Sequence, residues 1–85
     1  MRAADLMNPA HETRLRAMIE KHLDVVYRVL RRLGVPVQEM DDCMQQVFLV
    51  ASRKLPEIAE GTELSFLHQT AVKVASQARR AERRW

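Results

Sequence analysis

Apolar positions near the start of the chain recur at three- and four-residue steps, which places them on one face of a helix. The positions on this stripe are Leu15, Ile19, His22, Val26, Val29, Leu30 and Leu33. Asn8-Pro9 is a good helix start, with asparagine as the cap and proline in the first turn. Gly34 occupies the expected C-terminal cap position. The pattern predicts a long amphipathic helix in which His22 packs among apolar side chains and binds no ligand.

Two further helices follow the same logic. The second is predicted from Pro36 to about Lys54, because the residue before Pro56 resists the helical conformation. Its buried stripe is Met40, Met44, Val47, Phe48, Ala51 and Leu55. Thr62 is the candidate cap of the third helix, whose inward positions are Leu64, Leu67, Ala71, Val74, Ala75 and Ala78.

The predicted fold class is all-α, a compact bundle of three helices, or of four. The chain of 85 residues is long enough for one small domain, and it contains only two glycines and three prolines. Residues 1–7 show no helical period, so residues 1–10 are expected to form a flexible leader to a domain spanning 11–85. No apolar run approaches the roughly 20 residues that span a membrane, and there is no signal peptide. A cytoplasmic protein is therefore expected.

Charge adds a modest indication about partners. The net charge is +3, and four arginines crowd the last seven residues: Arg79, Arg80, Arg83 and Arg84. A basic end on an otherwise balanced domain is expected in a protein that binds a polyanion. It is equally expected at the end of a helix, where cations complement the helix dipole. On charge alone the two readings stay open.

The outward stripe of the second helix suggests a protein interface. It reads Gln38, Asp42, Gln45, Gln46, Leu49, Ser52 and Arg53. Leu49 lies at the middle of this polar stripe, and an apolar anchor inside a polar rim is typical of a small interface. An isolated exposed leucine is also ordinary on any surface, so the stripe by itself leaves both readings open.

The outward stripe of the third helix points to nucleic acid. It holds Phe66, Gln69, Lys73, Ser76, Arg80, Arg83 and Arg84. An exposed aromatic ring can stack on an unpaired base while cations hold the phosphates, which favours a single strand. The alternative is that Phe66 folds back under the preceding connection and packs there.

The residues give no sign of catalysis. His11, His22 and His68 are scattered, with no acid at triad-like or metal-like positions and no glycine-rich phosphate loop. Cys43 is the single cysteine, which excludes an internal disulfide and reads as a small core residue. We expect no enzyme activity, no metal and no cofactor.

The stretch Asp41-Asp42-Cys43-Met44-Gln45-Gln46-Val47-Phe48-Leu49 resembles region two of bacterial sigma factors, especially the extracytoplasmic-function (ECF) group. That group carries two acids, two apolar residues, a glutamine, a further polar or acidic residue, a small residue and a phenylalanine. The resemblance implies binding to the clamp helices of the RNA polymerase β′ subunit. Carried over by position, the contacts would come from Asp42, Gln45, Gln46, Leu49 and Ser52. Gln46 replaces the acid more often seen there, which would weaken a charge-assisted contact.

A second part of the resemblance concerns DNA. Glu60-Gly61-Thr62, with Phe66-Leu67 and Ala71, is similar to the family's loop and following helix, which capture a flipped base of the minus-ten element and support the melted nontemplate strand. This implies DNA contacts by Glu60, Gly61, Thr62, Phe66, Gln69, Lys73, Arg80 and Arg83. Phe66 stands where the family usually has tryptophan. Lys73 replaces the usual asparagine, leaving only hydrogen-bond donors there.

The resemblance covers about Leu15 to Arg84. A complete factor of the group also carries a second helical domain that reads the minus-thirty-five element, and we expect that domain to be absent from this chain. By family analogy, an anti-sigma protein would cover the polar face around Leu49, and no membrane partner is implied. The alternative function is a regulatory protein-interaction bundle without DNA binding, which Lys73 favours.

Overall fold

The first helix, α1, spans Pro9–Arg32. A computed structural model of the chain describes residues 9–83, with side chains described for residues 9–80. The predicted asparagine cap and the first eight residues of the predicted leader lie outside the described residues. α1 buries Met18, Val26 and Leu30 and half-buries the other positions of the predicted stripe, including His22. The helix ends near the predicted residue, in a turn centred on Gly34.

The second helix, α2, spans Met40–Lys54 and is preceded by a short 3₁₀ helix, Val37–Glu39. The predicted start at Pro36 therefore falls just before the 3₁₀ turn. The buried residues on α2 are Met40, Cys43, Val47 and Ala51, while Met44 and Phe48 are half-buried. A second 3₁₀ helix, Leu55–Glu57, follows directly, with its proline in the first turn. The predicted end of the helix at Lys54 is confirmed.

The third helix, α3, spans Glu63–Arg83. The backbone hydrogen bonds of α3 begin at Thr62, whose carbonyl accepts a hydrogen bond from the N–H of Phe66 at 3.1 Å. The hydroxyl of Thr62 donates back to the carbonyl of Ala59 at 2.6 Å, so this side chain closes the preceding turn and does not cap the helix N–H groups. The inward positions of α3 are buried as predicted, except Leu64, which is 44% exposed, and Ala78, which is half-buried.

The three helices pack around one core, because each presents a single apolar face. Each pair of helices is in contact. The core residues, buried against one another, are Met18, Val26, Leu30, Val35, Met40, Cys43, Val47, Ala51, Leu55, Ile58, Leu67, Ala71, Val74 and Ala75. No strand occurs among residues 9–83. The predicted all-α bundle is confirmed, with three α-helices in the described part of the chain.

Candidate functional site

The outward face of α2 is a surface patch with an apolar centre. Leu49 is 50% exposed, and the side chains of Asp42, Gln45 and Gln46 around it are exposed as well. Ser52 is half-buried at the edge of the patch. We call these five residues the α2 face. The helical turn predicted this grouping, and the structure brings all five to the same side of α2.

The chemistry of the α2 face suits a protein partner. One carboxylate and two amides can accept or donate hydrogen bonds, and the half-exposed leucine supplies apolar surface at their centre. Val47 and Ala51, on the other side of the helix, are fully buried, so the backbone that carries the face is anchored in the core. The α2 face is therefore carried by a helix whose opposite side is packed in the core.

A groove between α1 and α2 adjoins the α2 face. It has a volume of about 640 Å³ and is lined by Leu23, Asp24, Tyr27, Asp41, Met44, Gln45 and Phe48. Leu23 and Tyr27 are both exposed by more than two fifths, although they are large apolar side chains. Sequence reasoning missed this groove. The available signal was that these two residues lie off the apolar stripe of α1.

The turn before α3 carries the predicted loop residues. Glu60, Gly61 and Thr62 are all exposed. Gly61 has a positive φ of 87°, a backbone conformation that glycine adopts without strain. Its N–H donates to Oε1 of Glu63 at 2.8 Å, so the first residue of α3 holds the turn by its own side chain.

An arginine that sequence reasoning did not select supports this turn. Arg14 of α1 donates from Nη1 to the carbonyl of Leu55 at 3.0 Å and from Nη2 to the carbonyl of Ile58. The same Nη2 lies 3.2 Å from Oε2 of Glu63. Hydrogen bonds from the backbone N–H of Glu63 itself, then from Arg14 and from Gly61, lower the pKa of the Glu63 carboxyl. Glu63 is thus held in its charged form at the base of the turn.

The outward side of α3 carries exposed cations and amides. Gln69, Lys73 and Arg80 are exposed, and Arg80 donates to the hydroxyl of Ser76 at 3.3 Å. We call Gln69, Lys73 and Arg80 the α3 face. The side chain of Arg83, predicted to belong here, lies outside the described residues. Arg79 lies close to the turn that follows α1: its Cδ is 3.8 Å from the position that a Cβ on Gly34 would take.

Phe66 departs from its predicted place on the open polar side of α3. The ring is half-buried and packs against the core. This agrees with the alternative prediction in the burial of the ring; its predicted place under the preceding connection stays a prediction. The ring also lines a pocket of about 440 Å³ between α2 and α3, together with Gln46, Val50, Lys54, Glu57, Thr70, Lys73, Val74 and Gln77. The ring is half-buried because α2 lies beside α3 and the ring packs into the space between them. The helical period of α3 alone does not reveal this neighbour. Phe66 therefore contributes to the lining of this pocket and is only partly exposed.

Cys43 is buried in the core at 4% exposure, as predicted for a small core residue. Burial, and then the nearby charges of Glu39 and Asp42, raise the pKa of its thiol. Within the described residues, no group of three or more histidine, cysteine, aspartate or glutamate side chains could hold a metal ion. None of the helices within residues 9–83 combines the length and the apolar character that crossing a lipid bilayer requires.

The fold is a bundle of helices with an exposed patch of apolar centre and polar rim on α2 and exposed cations on α3. The sequence was compared with models of protein families, and the model of Sigma-70 region 2 matches residues 18–84. The chain belongs to this family, and the resemblance to sigma factor region two is confirmed. Searches among curated proteins and among solved structures found no match. The family consists of non-catalytic transcription initiation factors, and region 2 takes part in binding RNA polymerase and in recognising the promoter minus-ten element.

Proposed function

We propose that this chain is the region 2 domain of an ECF-group sigma factor. It binds the β′ clamp helices of RNA polymerase through the α2 face, and it engages the melted nontemplate strand of the minus-ten element through residues 60–62 and the α3 face. The observation that carries the proposal is the exposure of Leu49 inside a polar ring, on the helix that bears the sigma-like sequence from Asp41 to Leu49.

Leu49 is the energetic centre of the proposed polymerase contact. Its side chain is half exposed in the free domain, so a partner can still remove the exposed part from water. The polar residues around it then provide hydrogen bonds at the rim of the contact, where Asp42 is the charged acceptor. Residues near the centre of an interface contribute most of the binding energy, whereas rim residues mainly exclude water.

The first prediction tests this contact with Leu49→Asp. We expect the substitution to weaken binding to a β′ clamp-helix fragment by at least about 2 kcal/mol, because it places a charge at the desolvated centre of the contact. Binding is measured by calorimetry, and helical circular dichroism verifies the fold. Val72→Asp is the matched control, because Val72 is an exposed apolar residue of α3 that lies outside the α2 face.

Two results would contradict the polymerase contact. Equal loss of binding in Leu49→Asp and Val72→Asp would mean that a negative charge anywhere on the domain suffices. Failure of the unmodified chain to bind the fragment would leave a basic helical bundle without the proposed partner.

The proposed contact with DNA rests on cations beside a pocket. Lys73 belongs to the α3 face and also lines the pocket that contains Phe66 and Lys54. Phosphates of a single strand can bind these ammonium groups, while a base can contact the partly exposed phenylalanine ring beside them. Binding energy that is gained only with the melted strand shifts the promoter toward its open state, and this mechanism requires no cofactor.

The second prediction concerns Lys73→Ala. We expect weaker binding of a minus-ten single strand and a salt dependence reduced by roughly 0.7 in the log–log slope, because one cation fewer then neutralises a phosphate of the strand. Fluorescence anisotropy over a range of salt concentrations measures both quantities. Arg16→Ala is the control, since it removes the same charge from an exposed position on α1. An unchanged slope in Lys73→Ala would remove this residue from the proposed strand interface.

The isolated domain is expected to bind strands weakly, because polymerase normally positions it on the promoter. Tight, salt-insensitive recognition of duplex promoter by the free chain would contradict the proposed mechanism.

A second candidate function is a regulatory protein-interaction bundle that uses the α2 face and does not bind DNA. The half-burial of Phe66 favours it, because the ring is only partly exposed for stacking on a base. This candidate predicts clamp-helix binding together with negligible strand binding at every salt concentration. In either case an anti-sigma protein that covers Leu49 would compete with the clamp-helix fragment for the chain.

A further inference from the structure

Arg14 joins three separate parts of the chain at the base of the turn that precedes α3. Its two terminal nitrogens reach the carbonyls of Leu55 and Ile58 and the carboxylate of Glu63. The two carbonyls belong to the segment that leaves α2, and the carboxylate belongs to the first residue of α3. A planar guanidinium with its fixed set of donors suits such a junction, whereas a lysine ammonium concentrates its donors on one atom.

The carboxylate of Glu63 transmits this contact to the turn itself. One oxygen accepts from Arg14 at 3.2 Å, and the other accepts from the N–H of Gly61 at 2.8 Å. The turn is closed on its other side by Thr62, whose N–H and hydroxyl both donate to the carbonyl of Ala59. A chain of hydrogen bonds therefore runs from α1 through Glu63 to the exposed tip at Gly61.

The tip has little else to hold it. Apart from Gly61 itself and its two chain neighbours, no atom of the described residues lies within 4 Å of the position that a Cβ on Gly61 would take. Glu60, Gly61 and Thr62 are exposed, so packing does not fix their conformation. Exposed loops with few packed contacts sample several conformations unless hydrogen bonds restrict them. The tip is thus restrained by hydrogen bonds, two from Thr62 to Ala59 and one from Gly61 to the carboxylate of Glu63 that Arg14 orients.

We propose that Arg14 is a positioning residue for promoter-strand recognition: through Glu63 it fixes the turn of residues 59–62 in the shape that receives DNA. The inference rests on the proposed function of that turn. Arg14 itself lies before the segment 18–84 that matches the family, so the family match does not assign it this role. A preorganised turn binds its ligand without the cost of ordering. A turn held in one shape also accepts fewer bases than a turn that samples several shapes, so we expect base discrimination to depend on this restraint.

The test uses Arg14→Lys in the full chain, with Arg16→Lys as the matched control. Both residues are arginines of α1 that pair with a glutamate, but Arg16 is exposed and pairs with Glu12 one turn earlier on the same helix. Lysine retains the charge but carries its donors on one nitrogen, so it cannot reproduce the contacts that Arg14 makes from two nitrogens. Glu63→Gln is the second variant, because it keeps an acceptor for Gly61 while weakening the pair with Arg14.

Three quantities are measured for each folded variant. The NMR order parameter of the Gly61 amide reports the rigidity of the tip. The ratio of affinities for short fluorescent single strands that differ at one base reports recognition. Affinity for the clamp-helix fragment reports the distant α2 face, which the substitution should leave intact.

In Arg14→Lys we expect the Gly61 order parameter to fall from about 0.85 to below about 0.6. Base discrimination should fall by about tenfold, the factor for one hydrogen bond to a charged group, with clamp-helix affinity unchanged. Glu63→Gln should change the same two quantities in the same direction, and Arg16→Lys should change neither.

Unchanged discrimination in Arg14→Lys and Glu63→Gln would overturn the inference, whether or not the tip becomes mobile. Equal weakening of strand and clamp-helix binding would also overturn it, because that outcome indicates a general loss of structure. If the unmodified chain shows no base discrimination, the proposed function of the turn fails first, and the order parameter still shows separately whether Arg14 restrains the tip.

Discussion

At the scale of single side chains, neighbouring residues of α2 differ in their exposure to solvent. Cys43 is buried in the core, while Asp42 beside it is exposed and belongs to the α2 face. Burial disfavours a charged thiolate, and the carboxylates of Glu39 and Asp42 disfavour it further, so the pKa of the Cys43 thiol is raised. The thiolate is the reactive form of cysteine, so both the burial of Cys43 and its raised pKa slow reactions of this thiol.

The third prediction follows for Cys43. In the native chain at pH 8 we expect iodoacetamide to label this thiol at least about tenfold more slowly than in the unfolded chain, because reaction requires α2 to open locally. Mass spectrometry of the time course measures both rates, with the guanidinium-unfolded chain as the reference. Equal rates in the two states would show that Cys43 is accessible and that α2 does not pack with this residue inward.

At the scale of the elements, the end of α1 is fixed by backbone geometry at Gly34. Its N–H donates to the carbonyl of Arg31 at 3.0 Å, and the N–H of Val35 donates to the carbonyl of Leu30 at 3.1 Å. This pair of bonds is the Schellman motif, and it requires a left-handed residue. Gly34 has a φ of 93°, which places it in that region. The buried Val35 then starts the chain toward α2.

The fourth prediction concerns Gly34→Ala. We expect a loss of about 1 kcal/mol in the free energy of unfolding, because alanine resists the left-handed conformation. Steric exclusion adds little, since the new Cβ would meet only Arg79 Cδ at 3.8 Å. Urea unfolding followed by circular dichroism measures the change. Gly34→Asn is the comparison, and a smaller loss is expected because asparagine tolerates this region better. An unchanged free energy of unfolding in Gly34→Ala would contradict the prediction that alanine is strained at this position.

At the scale of the whole molecule, stability depends on a small core shared by all three helices. Leu67 is fully buried on α3, whereas Leu64, three residues earlier on the same helix, is 44% exposed. The two leucines share a residue type and a helix and differ in what surrounds them. They therefore isolate the contribution of the core from the contribution of helix propensity.

The fifth prediction compares these two leucines. Leu67→Ala should lower the free energy of unfolding by about 2–5 kcal/mol, because it removes buried apolar surface and leaves a cavity. Leu64→Ala should change it by less than about 0.5 kcal/mol, as expected for a surface substitution. Since small domains are stable by only about 5–15 kcal/mol, the first variant should melt far below the second in a thermal scan. Similar melting temperatures would contradict a core centred on Leu67.

Much of the fold and part of the candidate site could be predicted from the sequence. The three helical segments, the proline end of α2, the glycine end of α1 and the outward α2 face around Leu49 all follow from local period and local backbone preference. The structure agrees with each of them, because each depends on residues a few positions apart. The role of the α2 face remains a prediction until binding is measured.

The failures have a common cause. Leu64 was predicted to be inward, and Phe66 outward, from the helical period of α3 alone. The structure reverses the two, because burial on α3 depends on where α2 and α1 lie against it. The groove containing Leu23 and Tyr27 was missed for the same reason, since two helices are needed to form it.

The sequence by itself determined the three helical segments of this protein, the ends of α1 and α2 at Gly34 and Lys54, and its family resemblance, because those properties arise from neighbours along the chain. Only the tertiary structure decided which side chains support the turn before α3. Arg14 and Glu63 are 49 residues apart, and no local pattern indicates that they meet. Their contact exists because packing brings the start of α1 beside the start of α3, and packing is a property of the whole core.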